Sequence, residues 1–166
     1  VSYGETEQHT NFFFMGLMFI GGASASVAGG IKVNTIAVII VAVISTLHGR
    51  SNASMFGREI PQPQVQRAMT ICIVAVVWVF LVAMGLNFSE NSRDLAFIDL
   101  MSEGVSAFGT VGLSTGIISE ISRWGHLVLI VTMFIGRTGP LTLGLLIRQR
   151  DERDIYRFAQ ERVTIG

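Results

Sequence analysis

From Asn11 to Leu47 the chain is apolar except for a central stretch, Gly21-Gly22-Ala23-Ser24-Ala25-Ser26-Val27-Ala28-Gly29-Gly30-Ile31-Lys32, which is small and polar. This pattern predicts a membrane helix broken in its middle. A helix that enters near Thr6 to Thr10 and rises about 1.5 Å per residue brings Gly21 roughly 16 to 22 Å inward, near the centre of a hydrocarbon layer about 30 Å thick. Lys32 to Leu47 then completes the crossing. His48 to Gln66 is polar, carries Arg50, Arg58, Pro61 and Pro63, and reads as an aqueous loop before Arg67. Ala68 to Leu86 runs for about 19 residues without a charge, enough to cross a bilayer unaided.

Asn87 to Leu95 is a second polar loop. Ala96 to Phe108 then reads as a helix of about 13 residues carrying Asp99 and Glu103, too short to cross and too charged to face lipid, which predicts a re-entrant half-helix. Gly109 to Gly116 follows with Gly-rich, irregular backbone, which at membrane depth exists only inside protein or along water. A last helix is expected from Trp124 to Ile135, interrupted at Gly136-Arg137-Thr138-Gly139-Pro140 and resuming to Ile147. Met18-Phe19-Ile20-Gly21 recurs as Met133-Phe134-Ile135-Gly136, each time about halfway along an apolar segment, an internal echo of the kind that repeat-built transporters carry.

Composition agrees with the pattern. Hydrophobic residues make up 50% of the 166 and charged ones 14%, with a mean hydropathy of +0.55, which excludes an ordinary soluble domain. The formal net charge is zero, so the placement of the cations carries the information. Arg50, Arg58 and Arg67 lie in one loop, and Arg148, Arg150, Arg153, Arg157 and Arg162 in the tail. The positive-inside rule makes both cytoplasmic. The single cysteine, Cys72, allows neither an intrachain disulfide nor a Cys-based metal cluster. His9, His48 and His126 fall at expected membrane boundaries without ligand spacing. Val1 resembles neither a translation start nor the head of a signal peptide, so a fragment is expected.

The segment with the most chemistry is Ser106-Ala107-Phe108-Gly109-Thr110-Val111-Gly112-Leu113-Ser114-Thr115-Gly116. Selecting a large monovalent cation requires successive carbonyl oxygens to replace its water shell. Gly112 permits the positive φ this demands, Val111 and Leu113 can pack outward, and the Thr110 hydroxyl can add an oxygen. The bland alternative is a Gly-rich turn between helices. The loop at 21–32 lacks the Gly-Lys-Ser/Thr of a phosphate-binding loop, having Gly30-Ile31-Lys32, so its alternatives are close helix packing or a pore element. Lys32 and Arg137 both fall near mid-membrane and must face protein or water. For Arg137 the reading is a salt bridge or carbonyl contact, or else a direct field on ions below the filter. Asp99 and Glu103, a turn apart, can pair with these cations, anchor the short helix, or serve a membrane-embedded enzyme; no His or Ser lies placed to make the last a working pair.

Thr110-Val111-Gly112-Leu113-Ser114-Thr115-Gly116 after Ser106-Ala107-Phe108-Gly109 resembles the fourth pore loop of the Trk/Ktr/HKT superfamily of potassium transporters. Residues 21–32 resemble the intramembrane loop that interrupts a helix of its third repeat, although Ala23-Ser24-Ala25-Ser26-Val27 stands where relatives more often have Ser-Pro-Gly-Ser-Thr. Gly136-Arg137-Thr138-Gly139-Pro140-Leu141-Thr142-Leu143 and the terminal Glu161 to Gly166 resemble the Ktr (KtrB-like) membrane subunit within it.

The resemblance implies an all-α polytopic membrane protein of M1-P-M2 repeats in a bacterial inner membrane, with its C-terminus cytoplasmic. Residues 1–47 would be the second helix of the third repeat with a gating loop at 21–32, and 48–67 a cytoplasmic loop. Residues 68–149 would be the fourth repeat, with pore helix 96–108 and filter 109–116, and 150–166 a cytoplasmic tail. The filter residues would be Thr110, Val111, Gly112, Leu113 and Ser114. Those of the gate would be Gly21, Gly22, Ser24, Ser26, Gly29, Gly30 and Lys32, and Arg137 would be a pore-proximal charge. The resemblance further implies K⁺ as substrate with Na⁺ as a coupling or activating ion, a homodimer, and a cytoplasmic ring of nucleotide-binding regulatory subunits (a KtrA-like RCK ring). No nucleic acid is implied. The other readings are another monovalent-cation transporter of the superfamily, or a helical assembly fragment that transports nothing.

Overall fold

The computed structural model describes residues 8–23, 26–49, 52–55, 57–90 and 95–139. The expectations for Ser24, for Arg50, for the helix resuming towards Ile147 and for the tail at 150–166 fall outside these residues. The described chain is mostly helical: α1 (Gln8–Ile20), α2 (Val33–Leu47), α3 (Gln62–Ser89), α4 (Phe97–Gly109) and α5 (Arg123–Thr138). A small hairpin, β1 (Ser54–Met55) and β2 (Arg58–Glu59), joins α2 to α3, and a 3₁₀ turn, Ile117–Glu120, precedes α5.

Among the described residues only α3, with 28 residues and a mean hydropathy of 2.7, is long and apolar enough to cross a bilayer by itself. It begins at Gln62 rather than near Ala68. Pro61 precedes its first residue and Pro63 sits in the first turn, where backbone N–H groups have no helical partner to lose. The loop expected at 48–67 is therefore shorter, and it holds the hairpin. Strands of two residues carry no readable alternation, so the sequence pattern was silent there. The Ser54 N–H donates to Ser45 Oγ on α2 at 3.4 Å, and Ala42, Ala53 and Val65 form a small buried cluster beneath. As expected, the segment from 8 to 47 is two helices, of 13 and 15 residues, separated by irregular backbone.

At the centre lies α4, against which α1, α3 and α5 all pack. Every residue from 102 to 109 is buried, including Ser102, Glu103 and Ser106. On one side Val105 and Phe108 meet Met15, Met18, Ile31, Ala75 and Val79, with the Phe108 ring stacked on Phe19 at 6.0 Å. On the other, Leu100 and Ala107 meet Val82, Leu86, Ile121 and Leu129.

The outer surface is the inverse of a soluble protein's. Ile73, Val77, Phe80 and Leu81 on α3, and Ile130 and Phe134 on α5, are exposed. In water, apolar surface on this scale is an association liability; among lipid tails it is solvated. Lipid is as apolar as leucine, so packing inside a bilayer gains little from solvent exclusion and depends on close contact and hydrogen bonds. Small residues and buried polar side chains then decide where helices meet.

The start of α5 illustrates the second device. Ser122 caps it, accepting from the Gly125 N–H at 3.2 Å, and is itself held by the buried Glu90 at the end of α3. Glu90 Oε1 accepts from the Ser122 N–H at 3.0 Å and from its hydroxyl. The first device appears at Gly136. The expected interruption over 136–140 falls at its far side: α5 continues through Gly136 and Arg137 to Thr138 and is capped by Gly139 at φ 86. Gly136 serves instead as a contact, since a Cβ at that position would overlap the carbonyl oxygen of Phe108.

Candidate functional site

The C-terminus of α4 ends in a turn of the Schellman type. The Thr110 N–H donates to Ala107 O at 3.1 Å and the Val111 N–H to Ser106 O at 3.1 Å. This turn needs a left-handed residue, usually glycine, yet Thr110 occupies it with φ 51. For a β-branched residue that conformation costs about 1–2 kcal/mol. Two contacts explain the choice. Glycine is required one position earlier, because a Cβ on Gly109 would come within 2.6 Å of Met18 O. The Thr110 hydroxyl in turn accepts from the Gly29 N–H at 2.9 Å, which ties the turn to the loop between α1 and α2.

Beyond the turn the chain runs extended past Val111 to Gly112, whose φ of 81 favours glycine, and on through Leu113. Among the described residues no donor reaches the carbonyl oxygens of Thr110, Val111 or Gly112. Leu113 differs: its carbonyl accepts from Ser106 Oγ at 2.5 Å. Ser114 and Thr115 turn back onto α4, where Glu103 Oε1 accepts from Ser114 Oγ at 2.5 Å and from the Thr115 N–H at 2.9 Å. Glu103 thus binds residues 114 and 115, and among the described residues neither Asp99 nor a cation shares it. Asp99 lies in the first turn of α4, where the helix dipole favours a carboxylate.

The loop at 21–32 closes on itself and on this turn. The Ile31 N–H donates to Phe19 O at 3.3 Å and the Val33 N–H to Gly22 O at 3.1 Å, which satisfies one of α1's last carbonyls and α2's first amide. The Gly30 N–H donates to Gly136 O at 3.2 Å, so the loop bridges α4 and α5. The Ser26 N–H donates to Ala23 O at 2.8 Å, and Ser26 Oγ accepts from the Ala28 N–H at 3.2 Å. Lys32 precedes α2, and its ammonium folds back onto Ser26 O at 3.2 Å and onto Ala28 O. Loop carbonyls thereby solvate a charge that lipid would not.

The structure thus brings Gly29, Gly30, Gly109, Thr110 and Gly136 to one point, and Gly21 lies against the backbone of Gly29 and Ile31. Arg137 does not join them. It is exposed in the last turn of α5, where a cation suits the helix dipole, and among the described residues it makes neither the salt bridge nor the carbonyl contact expected of it. Sequence reasoning missed the tie from Ser106 to the Leu113 carbonyl and the link between Glu90 and Ser122. A Glu and a Ser at i and i+3 on a helix that precedes a Gly-rich strand was the available signal for the first.

A family model described as TrkH, a cation transport protein, matches residues 1–156. The chain belongs to the TrkH family. Among curated relatives, it is 37% identical over 155 residues to Ktr system potassium uptake protein B of Bacillus subtilis (strain 168), covering 93% of this chain and 34% of that protein. It is 34% identical over 166 residues to Ktr system potassium uptake protein D of the same organism, covering 100% of this chain and 36% of that one. To the potassium/sodium uptake protein NtpJ of Enterococcus hirae it is 35% identical over 155 residues, covering 92% and 34%. The chain therefore spans about a third of the length of these relatives.

TrkH membership makes this a membrane transport family rather than an enzyme family, in keeping with the apolar outer faces of α3 and α5. Within a TrkH-family chain, the meeting of two glycine-rich segments at the end of a buried half-helix is the feature with transport chemistry to offer.

Proposed function

We propose that this chain is the part of a potassium-uptake pore that supplies one filter strand and the gate beneath it. In this reading α3, α4 and α5 are the M1, pore helix and M2 of the fourth repeat, and α1 and α2 the broken second helix of the third. The carbonyl oxygens of Thr110, Val111 and Gly112 replace the water of a dehydrated K⁺, and equivalent strands elsewhere in the pore complete its shell. One observation carries the reading: among the described residues those three successive oxygens have no donor, while the turn before them is held by the Thr110 and Val111 N–H groups and the Leu113 carbonyl after them by Ser106. The C-terminal end of α4 points its partial negative charge to the same place, which favours a cation.

The loop at 21–32 acts as the gate, docked against Thr110 and Gly136 when closed. A cavity of about 340 Å³ bounded by Gly21 and Ala28 on the loop and Thr110 and Val111 on the strand supports a path between them. Homodimeric assembly, a ring of nucleotide-binding regulatory subunits on the cytoplasmic side, Na⁺ as coupling or activating ion, a bacterial inner-membrane location and a cytoplasmic C-terminus belong to the same proposal. The words 'Ktr system' and 'potassium/sodium' in the relatives' names support a multi-component transporter and a part for Na⁺; the dimer, the ring and the orientation rest on the sequence resemblance.

The test is uptake of K⁺, Rb⁺ and Na⁺ by the intact protein that carries this chain, in a bacterial strain lacking potassium uptake. Wild type is expected to restore growth at low K⁺, and Gly112→Ser to shift the preference among the three ions by about tenfold. An unchanged preference removes Gly112 from the filter.

A further inference from the structure

We infer that Glu103 is a positioning residue for cation selectivity, acting through the filter strand rather than touching the ion. The inference rests on the filter reading above and adds to it the part that holds the strand in shape.

Glu103 is 3% exposed, on a helix buried on all sides. Its Oε1 accepts three hydrogen bonds: from Ser114 Oγ at 2.5 Å, from the Thr115 N–H at 2.9 Å and from Thr115 Oγ1 at 3.2 Å. One turn along α4, Ser106 Oγ donates to Leu113 O at 2.5 Å. Ser114 Oγ passes the tie onward by accepting from the Gly116 N–H at 2.9 Å. Two side chains on one face of α4 therefore fix residues 113–116. The near end of the strand is fixed by the backbone of 106 and 107. Gly112, between the two anchor points, makes no hydrogen bond among the described residues, so its geometry follows from theirs.

Packing does not do this work instead. Between the strand, α4 and α5 lies a cavity of about 190 Å³, lined by Glu103, Ser106, Thr110, Leu113, Leu129 and Met133. A space that size would take several waters at about 30 Å³ each, so among the described residues nothing solid backs the strand on that side. Directional hydrogen bonds hold it off the cavity, and the Glu103 oxygen supplies most of them. Without that acceptor, three donors lose their partner and the strand has room to sag. Sites that discriminate by geometry lose function with displacements of about 1 Å.

The experiment measures K⁺, Rb⁺ and Na⁺ flux in the intact protein, normalised to protein in the membrane, for Glu103→Ala, Glu103→Gln and the double variant Ser114→Ala with Thr115→Val. Glu103→Ala is expected to lower the K⁺ to Na⁺ flux ratio about tenfold or more, whereas Glu103→Gln, which keeps an acceptor oxygen, stays within about threefold of wild type. The double variant, with Glu103 intact, falls between them. A flux ratio that stays constant while rates merely follow protein amount overturns the inference. Should Glu103→Ala fail to reach the membrane, an unchanged ratio in the double variant does the same. Gly112→Ser, run alongside, separates the two claims: a shift there without one at Glu103 sinks only the positioning role, and no shift at Gly112 sinks the filter itself.

Discussion

The two glycine-rich stretches, 21–32 and 109–116, have similar composition and are tied differently. The first turns its polar groups inward: its amides reach Phe19, Thr110 and Gly136, and its carbonyls at Gly22, Ser26 and Ala28 are taken by Val33 and Lys32. The second, among the described residues, leaves the oxygens of Thr110, Val111 and Gly112 open between two sets of ties. Irregular backbone away from water has to be satisfied by something. In the first stretch protein donors and acceptors meet part of that need; in the second, we propose, a passing cation does. Glycine likewise serves two purposes, close approach at 109 and 136 and a positive φ at 112.

That contrast can be broken most forcefully at Gly136. Gly136→Ala places a Cβ on the Phe108 carbonyl and is expected to destabilise the protein by more than about 3 kcal/mol, read as lost accumulation or a lowered thermal transition in detergent. Next in size is Gly109→Ala, where Met18 O stands 2.6 Å from the new Cβ, with an expected cost of about 2 kcal/mol. Gly112→Ala is expected to cost only about 1 kcal/mol, since nothing lies near its Cβ and only the backbone conformation resists. A reversed order of the two would show that the contact and conformational roles have been exchanged. Smaller again is Thr110→Val, which removes the acceptor for the Gly29 N–H. Loss of about 1 kcal/mol from loop docking raises the undocked fraction, and hence K⁺ flux at limiting activation, about fivefold. The smallest effect belongs to Val77→Leu on the exposed face of α3, expected within about 0.5 kcal/mol of wild type by the same thermal measurement.

Much of this architecture was legible from the residues. The break after Ile20, the short helix that ends at Gly109 and the irregular backbone with Gly112 in it follow from apolar periodicity, segment length and glycine placement. Those signals are local. What stayed hidden is what depends on distant partners. Gly136 reads as a helix breaker in isolation, and only the approach of Phe108 makes it a packing residue in the last turn of α5. Thr110 reads as an ion ligand, and its bond to Gly29 joins positions far apart in the chain. Glu103 reads as a charge in need of a cation, whereas neutral donors from the strand after its own helix satisfy its oxygen.

The central claim is that a cation rests on the oxygens of Thr110, Val111 and Gly112. Crystals of the intact protein soaked with Rb⁺ or Tl⁺ and measured for anomalous scattering test it directly. The account predicts density within about 3 Å of those carbonyl oxygens, as a coordinated alkali ion requires. Ion density confined to other positions, with these three oxygens turned away from it, would contradict the account.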